Sequence, residues 1–488
     1  MAAPTVFYDP HLTAQSVGQC DCDCDCACAE VATSNFSPWQ NAAAYGLPEE
    51  PLQKSHEAYS LPLDGEHTLA FDPLQGAPLV LNRAAYDFWD AYPSSPPEDS
   101  AFEMRQLLLF AGLLQPETKP SACPADQPHQ LSAWLHVTDR CTLRCDYCYL
   151  PHLPNDMAID TGFAAIEATF RSALAHGYRV VKLKYAGGEP LLRLPQILTW
   201  QQHAAGLAAR HGLTLDGVVL SNGTLLSAAY ASAIRDAGLR LMLSLDSLGQ
   251  MHNSQRAFPD GRDSSETARR AVELALANGL VPDISITVSG RTTNGLPDLI
   301  AWVLERDLPF SLNLYREHDH TEPSSDLRLE TRAIIAALRA TYDVIQTYSP
   351  RRSLLGSLAD RANLAVPHRY PCGAGRSYLV FRPDGEIAKC QMEQTHVVAN
   401  CDTPDPLQAV RESPVGLQNL SVDEKPDCTT CMWRYRCAGG CPLQAWRAGG
   451  EYTAKSPNCA IYRALYPEVL RLEGRRLLRY GARLTATF

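Results

Sequence analysis

Seventeen cysteines in a chain of 488 residues are the feature that most constrains this protein. Most of them stand a few residues apart in tight groups. Ligands that close in sequence can converge on one metal ion or cluster, whereas disulfides are uncommon in long chains without an export signal. The first residues, MAAPTVFYDPH, lack the basic region and apolar run of such a signal. We therefore expect metal ligation in a cytoplasmic protein.

Charge and hydropathy narrow the choice of partners. Lys and Arg number 43 against 54 Asp and Glu, which gives a net charge of −11. An acidic chain of this kind is a poor candidate for nonspecific binding to nucleic acid or to anionic lipid. The longest apolar run, residues 107–114, is well short of the roughly 18 residues that a membrane span requires. We expect neither nucleic acid nor a membrane among the partners.

Strands and helices are predicted to alternate between residues 130 and 325. The six predicted strands contain the sequences SAWLHVT, RVVKLKYAGG, DGVVLSNG, LRLMLSLDS, PDISITVSG and PFSLNLYRE. Repeated β/α order predicts an α/β fold with a parallel sheet and helices outside it. Six units suit a partial (β/α)6 barrel as well as an open sheet. In both folds the active site lies at the carboxyl ends of the strands.

Five further segments flank this barrel. They are an irregular segment at 1–55, a small module at 56–120, a helical linker at 326–368, a cysteine-rich domain at 369–465 and a C-terminal helix at 466–488. In the first of them, the run from Cys20 to Cys28 alternates cysteine with Asp or Ala, so five thiols would line one face of an extended chain. Metal ligation, a redox segment and an internal substrate-like tail all stay open for this run, and a solvated tail with incidental cysteines is the alternative to them.

Three cysteines follow the first predicted strand in the sequence CTLRCDYCY: Cys141, Cys145 and Cys148. A cubane iron–sulfur cluster needs one ligand on each iron. Three thiolates on one loop would therefore leave the fourth iron open to bind and activate a small molecule. A structural zinc loop with a fourth ligand elsewhere is the alternative that the spacing leaves.

This spacing, with Tyr147 before the last cysteine, resembles the signature of radical S-adenosylmethionine (SAM) enzymes. The resemblance implies that SAM chelates the open iron and is cleaved reductively. The resulting 5′-deoxyadenosyl radical takes a hydrogen from the substrate. Motifs after the next three strands resemble the SAM-binding motifs of the family. The residues that match are Gly187, Gly188 and Glu189, then Ser221 and Asn222, then Ser244 and Asp246, and finally Arg256.

Seven cysteines between 372 and 459 form a second constellation. Their spacing resembles the SPASM extension of radical SAM enzymes, which implies two auxiliary 4Fe–4S clusters and three clusters in all. The implied ligands are Cys428, Cys431, Cys437 and Cys459 for the outer cluster and Cys372, Cys390 and Cys441 for the inner one. The inner cluster is one ligand short, and Cys401, Cys123 or a thiol from the 20–28 run could complete it. Two zinc sites are the alternative, since thiolates also bind zinc.

Two other features bear on the substrate. Gln391 stands where the sulfatase-maturing branch of the family has an aspartate base. An amide is not a useful base, so oxidation of a sulfatase serine or cysteine is disfavoured. The sequence LVLNRAAYDFWDAY in the 56–120 module resembles the winged-helix peptide-recognition element, which implies that a leader peptide adds to it as an extra strand. A helical cap on the barrel is the alternative.

The resemblance therefore predicts a radical SAM/SPASM maturase of a ribosomally made precursor peptide. The C-terminal sequence is similar to that of spliceotide makers. This similarity implies backbone excision with loss of tyramine. Crosslinking through C–S or C–C bonds is the competing chemistry. The partners would be a precursor peptide with a leader and a one-electron reductant, flavodoxin or ferredoxin. The alternatives are a radical SAM enzyme acting on a small molecule or folded protein, and a non-catalytic peptide carrier with zinc-bound knuckles.

Overall fold

The computed structural model describes residues 3–10, 51–74, 76–92, 102–118, 129–318, 324–358, 360 and 362–485. The cysteine run at 20–28 and Cys123 lie outside these residues, so the expectations about them stay predictions. Within the described chain, no helix combines the length and the apolar character that crossing a membrane requires.

The strands are β1 Thr5–Tyr8, β2 Leu52–Lys54, β3 Tyr59–Pro62, β4 His67–Phe71, β5 Leu79–Asn82, β6 Leu114–Pro116, β7 Gln130–Thr138, β8 Arg144–Cys145, β9 Val180–Gly187, β10 Thr214–Ser221, β11 Arg240–Ser244, β12 Arg256–Ala257, β13 Asp283–Val288, β14 Phe310–Leu314, β15 Tyr378–Phe381, β16 Glu386–Ala388, β17 Val397–Asn400 and β18 Ala482–Thr485.

The α-helices are α1 Arg83–Asp90, α2 Phe102–Phe110, α3 Ile159–Ala175, α4 Leu194–His211, α5 Ala228–Asp236, α6 Gly249–Asn253, α7 Ser265–Ala277, α8 Leu296–Glu305, α9 Thr331–Tyr348, α10 Pro406–Glu412, α11 Arg434–Cys437, α12 Pro442–Gly449 and α13 Cys459–Tyr480.

Six parallel strands form the central sheet in the order β14-β13-β11-β10-β9-β7. Both faces of these strands are buried. On β7, Leu131, Ala133 and Leu135 belong to the main core, whereas Trp134 packs inside the barrel with Ala186 of β9. Such two-sided burial is typical of parallel sheets covered by helices, and it explains why these strands appear as nearly continuous apolar runs. The predicted α/β fold is confirmed.

The cysteine-rich region continues this sheet. β15 pairs in parallel with β7, with Tyr378 opposite Ser132, and β16 and β17 follow in antiparallel order. The sequence did not predict this, because the predicted barrel ends at residue 325. The extension holds the loops that carry Cys372 and Cys390 against the barrel, since β15 and β16 lie between them.

The N-terminal module is built around a five-stranded sheet in the order β18-β1-β5-β4-β3. The side chain of Asn82 caps α1 by accepting a hydrogen bond from the Ala85 amide at 2.9 Å. Two expectations are wrong in detail. Residues 5–8 form a strand inside the segment expected to be irregular, and the terminal helix begins at Cys459 and gives way to β18.

One buried arginine joins the module to the cysteine-rich domain. Arg436 is fully buried and donates hydrogen bonds to the carbonyl oxygens of Asp72, Pro73 and Gly76 at 3.1, 2.7 and 2.5 Å. It also donates to the Leu364 carbonyl at 3.0 Å. Because Arg436 directly precedes Cys437, the module is anchored next to a predicted cluster ligand.

Replacing Arg436 with methionine should lower the free energy of unfolding by about 3–5 kcal/mol, because several buried carbonyls lose their donor at once. Urea denaturation of the purified protein measures this loss. The matched control is Arg471→Met: Arg471 is 39% exposed and pairs with Glu468 on its own helix at 2.9 Å. The control should cost at most about 1 kcal/mol. Equal losses in both variants would contradict the anchoring role.

Candidate functional site

A cavity of about 160 Å³ opens at the carboxyl ends of the barrel strands. Most of the residues predicted to form the site line it. They are Cys141, Cys145, Tyr147, Cys148, Gly187, Gly188, Ser221, Asn222, Ser244 and Arg256. Two predicted members, Glu189 and Asp246, do not line it and instead hold the lining residues from behind.

The cysteine loop is fixed by backbone pairing. Cys145 lies in β8, which pairs antiparallel with β12 so that Cys145 stands opposite Arg256. The side-chain amide of Asn222 approaches the Cys141 sulfur to 3.6 Å. Burial, aided by the charge of Glu189, raises the pKa of the Cys141 thiol to about 11, and burial also raises the pKa of Cys145 and Cys148. Metal binding must therefore displace these thiol protons.

Two glycines allow the end of β9 to approach the cysteine loop. A Cβ atom at Gly188 would lie 2.2 Å from the Arg140 carbonyl oxygen, and one at Gly187 would lie 2.3 Å from the Thr138 carbonyl oxygen. Gly187 also has a φ of +139°, which side-chain-bearing residues rarely adopt. Both positions therefore require glycine for packing within the chain.

Glu189 ties two strand ends together. Its fully buried carboxylate accepts hydrogen bonds from the Leu191 amide at 2.9 Å, the Ser221 hydroxyl at 2.8 Å and the Asn222 amide at 2.8 Å. Burial raises the pKa of this carboxyl. The resemblance implied a direct contact with SAM, which stays a prediction. In this structure the carboxylate holds Asn222 in position at the cavity wall.

Asp246 organises the opposite wall. Its carboxylate accepts hydrogen bonds from the Tyr147 hydroxyl at 2.6 Å, the Gln255 amide at 2.8 Å and the Thr287 backbone at 2.9 Å. Arg256 donates to the Tyr147 hydroxyl and lies 3.5 Å from Asp246. Among the described residues, the buried Arg256 Nε has no hydrogen-bond partner. An orphaned guanidinium N–H at the wall fits an anionic ligand such as the carboxylate of SAM.

His252 was not singled out by the sequence, where it reads as an ordinary loop residue. It is buried behind Asp246, whose backbone amide donates to the His252 Nδ1 at 3.3 Å. Burial lowers the pKa of this imidazole to about 4. No motif marks such a supporting residue.

Met242 and Thr287 also line the cavity, and neither was predicted from the sequence to do so. The alternation of side chains along a strand could have placed them there.

Two further cavities continue from the first. The middle one measures about 600 Å³, shares Tyr149 and Leu150 with the first, and is also lined by Asp139 and Arg382. The last is small, at about 20 Å³, and brings together the three predicted inner ligands Cys372, Cys390 and Cys441. The middle and last cavities share Gln391 and Met392. The three cavities therefore lie in a row.

Asp139 on the middle cavity is paired with a fully buried histidine. Its carboxylate lies 2.9 Å from the His136 Nε2 and accepts a hydrogen bond from the Asn155 amide at 2.8 Å. Burial acts to raise the pKa of Asp139, but the nearby His136, the hydrogen bond from Asn155 and the charge of Arg382 together outweigh it, so the net pKa lies below the usual value. A carboxylate therefore faces the cavity at neutral pH.

The predicted outer ligands are close enough to influence one another. Burial raises the pKa of Cys437 to about 12, and the charges of Cys428 and Cys431 add to the shift. Cys401 lies elsewhere, because its thiol donates to the Gly385 carbonyl at 3.3 Å and it packs in the main core. Within the described ranges, no group of three His, Cys, Asp or Glu side chains is arranged to hold a single metal ion.

Comparison with known proteins decides the family. Residues 135–303 match the radical SAM superfamily. The chain is 30% identical over 272 residues to the GTP 3′,8-cyclase 1 of Pseudomonas aeruginosa, covering 52% of this chain and 78% of the relative. This chain belongs to the radical SAM superfamily. The radical SAM enzyme predicted from the cysteine loop is thereby confirmed, and an iron–sulfur cluster and SAM are the cofactors of that family.

Two other similar proteins extend the match beyond the barrel. The PqqA peptide cyclase of Methylobacterium nodulans is 27% identical over 361 residues, which covers 68% of this radical SAM chain and 87% of the relative. A solved structure described as native anSMEcpe with bound AdoMet and Cp18Cys peptide superposes with a TM-score of 0.56 at 18% identity. That match covers 72% of this chain and 98% of the other, and it shows a shared fold.

Replacing Gly188 with alanine should weaken SAM binding at least tenfold, because the new methyl group forces the cysteine loop away from the end of β9. Equilibrium dialysis of the iron-reconstituted protein against SAM measures this. Gly206→Ala is the matched control, since a Cβ at Gly206 meets no atom within 4 Å. We expect unchanged binding in the control. Normal SAM affinity in Gly188→Ala would show that the close approach is not required.

The buried His252 should make stability depend on pH. The unfolded chain binds this proton near pH 6.5 and the folded chain near pH 4, so stability falls as the pH drops through this window. The contribution lost between pH 7 and pH 5 is about 2 kcal/mol. Urea denaturation at both pH values should show a smaller difference for His252→Asn than for the wild type. His396→Asn, at a half-exposed site, should behave as the wild type does.

Proposed function

We propose that this radical SAM enzyme modifies a ribosomally synthesised precursor peptide, using one SAM-binding and two auxiliary 4Fe–4S clusters. The succession of three cavities carries the proposal. Cys141, Cys145 and Cys148 would hold the SAM-binding cluster at the first cavity, and the last cavity gathers the inner auxiliary ligands. The substrate would occupy the space between them.

The middle cavity suits a peptide. At about 600 Å³ it is several times larger than the first cavity. Its wall carries carboxylates at Asp139 and Asp384 and a guanidinium at Arg382. A peptide backbone offers both donors and acceptors to such groups. The similarity to a PqqA peptide cyclase, and to a structure that contains a bound peptide, points to the same class of substrate.

The residues of this chain would have separate roles in the reaction. When bound, SAM and its cluster supply the 5′-deoxyadenosyl radical that abstracts hydrogen. Arg256, oriented by Tyr147 and Asp246, would bind the SAM carboxylate. On the substrate side, Asp139 stays ionised through its pairing with His136 and would accept a proton from the peptide. Gln391 is neutral and cannot take that role.

Cys372, Cys390 and Cys441 would hold the inner auxiliary cluster, which when bound would supply an electron acceptor close to the substrate. Cys390 precedes Gln391, whose side chain borders both the middle and the last cavity. A cluster held by Cys390 would therefore lie next to the peptide. Cys401 is not placed to complete this cluster, so its fourth position is left to the substrate, to solvent or to another thiol. Flavodoxin or ferredoxin would supply electrons to the SAM-binding cluster.

The N-terminal module would bind the leader of the precursor. Its sheet has two edge strands, β3 and β18. On β3, Tyr59 packs against Trp433 with ring centres 5.7 Å apart, and Pro62 has no amide hydrogen to donate. β18 is half exposed along its length. A leader peptide would therefore add beside β18 as a sixth strand.

The experiment must distinguish two possible reactions on the peptide, and it must distinguish peptide modification from three alternative functions. The peptide could lose a tyramine-sized fragment by backbone excision, or two hydrogens for each C–S or C–C crosslink. The similarity to a GTP 3′,8-cyclase favours a small-molecule substrate as the second candidate. A folded protein substrate is the third. A peptide carrier with zinc-bound knuckles would contain no redox-active cluster.

A mass spectrum of the coexpressed precursor tests the proposal. The enzyme and a small open reading frame from its own gene neighbourhood are expressed together without oxygen, and the peptide is weighed. We expect loss of two hydrogens or of a tyramine-sized fragment. The same precursor without its leader half should stay unmodified. The triple variant Cys141→Ala, Cys145→Ala, Cys148→Ala is the control for SAM-dependent chemistry and should leave the mass unchanged.

Other results would decide against the proposal. A colourless protein containing zinc and no iron would favour the peptide carrier. Equal modification of the leaderless precursor would remove the role of the module in recognition. An unchanged mass, with 5′-deoxyadenosine formed and no solvent deuterium taken up in heavy water, would exclude this precursor and also exclude a mass-silent epimerisation.

A further inference from the structure

We propose that Lys425 is a fixed positive charge shared by the two auxiliary clusters, and that it raises their reduction potentials. This inference rests on the proposed function only in requiring that those clusters are present. It concerns a residue that no cysteine motif includes.

The backbone holds Lys425 rigidly beside an outer ligand. A short 3₁₀-helix at residues 422–424 begins with a capping box. The Ser421 side chain accepts a hydrogen bond from the helix backbone, and the Glu424 carboxylate accepts one from the Ser421 amide. The Lys425 amide then donates to the Val422 carbonyl at 3.2 Å, and the Cys428 amide donates to the Lys425 carbonyl at 2.8 Å. These hydrogen bonds fix the backbone of Lys425, and with it the direction in which the side chain leaves the backbone.

The ammonium group of Lys425 is buried, and no described residue makes a hydrogen bond to it. An isolated buried charge is among the most unfavourable features that a protein can contain. The thiolate sulfur of the neighbouring predicted ligands would supply its counterion.

The lysine lies on the turn that connects the two ligand sets. A Cβ at Gly439 would lie 2.9 Å from the Lys425 Nζ and 2.6 Å from its Cδ. Gly439 is midway between Cys437, a predicted outer ligand, and Cys441, a predicted inner ligand. The three residues between these cysteines all have positive φ, at 46°, 77° and 71°, so the turn is tight. The ammonium therefore lies against the turn that joins the two clusters.

The outer ligands are tied to this lysine more directly than the inner ones. The predicted outer ligand Cys428 donates its backbone amide to the Lys425 carbonyl at 2.8 Å, whereas Lys425 meets the inner set through the turn at Gly439 that leads to Cys441. A thiolate-bound cluster gains one negative charge on reduction, so a nearby cation favours the reduced form. Lys425 should thus stabilise the reduced outer cluster more than the reduced inner one.

A redox titration followed by electron paramagnetic resonance tests the proposal without any substrate. The titration uses the Cys141→Ala, Cys145→Ala, Cys148→Ala background, so that only auxiliary clusters contribute to the spectrum. Dithionite is the one-electron reductant. In Lys425→Met we expect about tenfold less reduced outer cluster at a fixed potential, equivalent to about 59 mV for a one-electron couple. The inner cluster should shift in the same direction by less.

Two variants serve as controls. Lys455→Met removes another ammonium near the outer ligands, but one that is exposed and paired with Asp427 at 3.1 Å. It should leave both potentials unchanged, because solvent screens that charge. Lys425→Arg keeps the charge and should retain wild-type iron content and potentials. If Lys425→Met does not hold full auxiliary iron, Lys425→Gln, which keeps a polar side chain without the charge, takes its place and should show the same lower potential.

Three results would overturn the inference. The first is Lys425→Met with full iron and unchanged potentials. The second is an equal shift in Lys455→Met, which would reflect a general response to surface charge. The third is loss of auxiliary iron in Lys425→Arg as well, which would make the position one of packing alone. Each is distinct from failure of the proposed function, which the precursor mass and the iron content of the wild type report separately.

Discussion

The parallel pairing of β15 with β7 is the interaction on which the rest of this structure depends. β7 leads into the cysteine loop at Cys141, and β15 lies between the predicted inner ligands Cys372 and Cys390. One shared set of backbone hydrogen bonds therefore fixes the first and last cavities relative to each other. An electron-accepting cluster is useful only if it lies at a constant short distance from the substrate. A continuous sheet supplies that constancy better than a linker between two domains does.

The second organising principle is the burial of charge around the site. Glu189, Asp246 and Arg256 are all buried, and each holds part of the cavity wall. The carboxylates of Glu189 and Asp246 accept hydrogen bonds from backbone and side-chain donors of this chain. Among the residues that the structure describes, Arg256 and Lys425 each keep a donor without a hydrogen-bond partner. Buried groups that lack partners within the protein mark the places where a ligand or cofactor completes the electrostatics.

The sequence predicts well those features that chemistry constrains locally. The close spacing of Cys141, Cys145 and Cys148 points to a shared metal or cluster, and the resemblance to the radical SAM signature then picks out Gly188, whose lack of a side chain the contact with Arg140 explains. The six buried strands of the barrel are equally visible, since each is an apolar run. The pairing of β15 with β7 could not be predicted, because parallel pairing joins residues about 250 positions apart without a local pattern. Lys425, Arg436 and His252 were missed for the related reason that a buried ionisable residue looks the same in sequence as one on the surface.

The module sheet has a consequence for how the chain reaches its final form. β1 pairs with β18, which brings Thr5 against Thr485 across a separation of 480 residues. During synthesis β1 must wait for nearly all of the remaining sequence before this neighbour exists. The barrel and the cysteine-rich domain can thus fold, and acquire metal, while the edge of the module sheet is still incomplete. That edge can close only after β18 has been made, and by then every predicted cluster ligand that the structure describes, of which Cys459 is the last, is already in the chain.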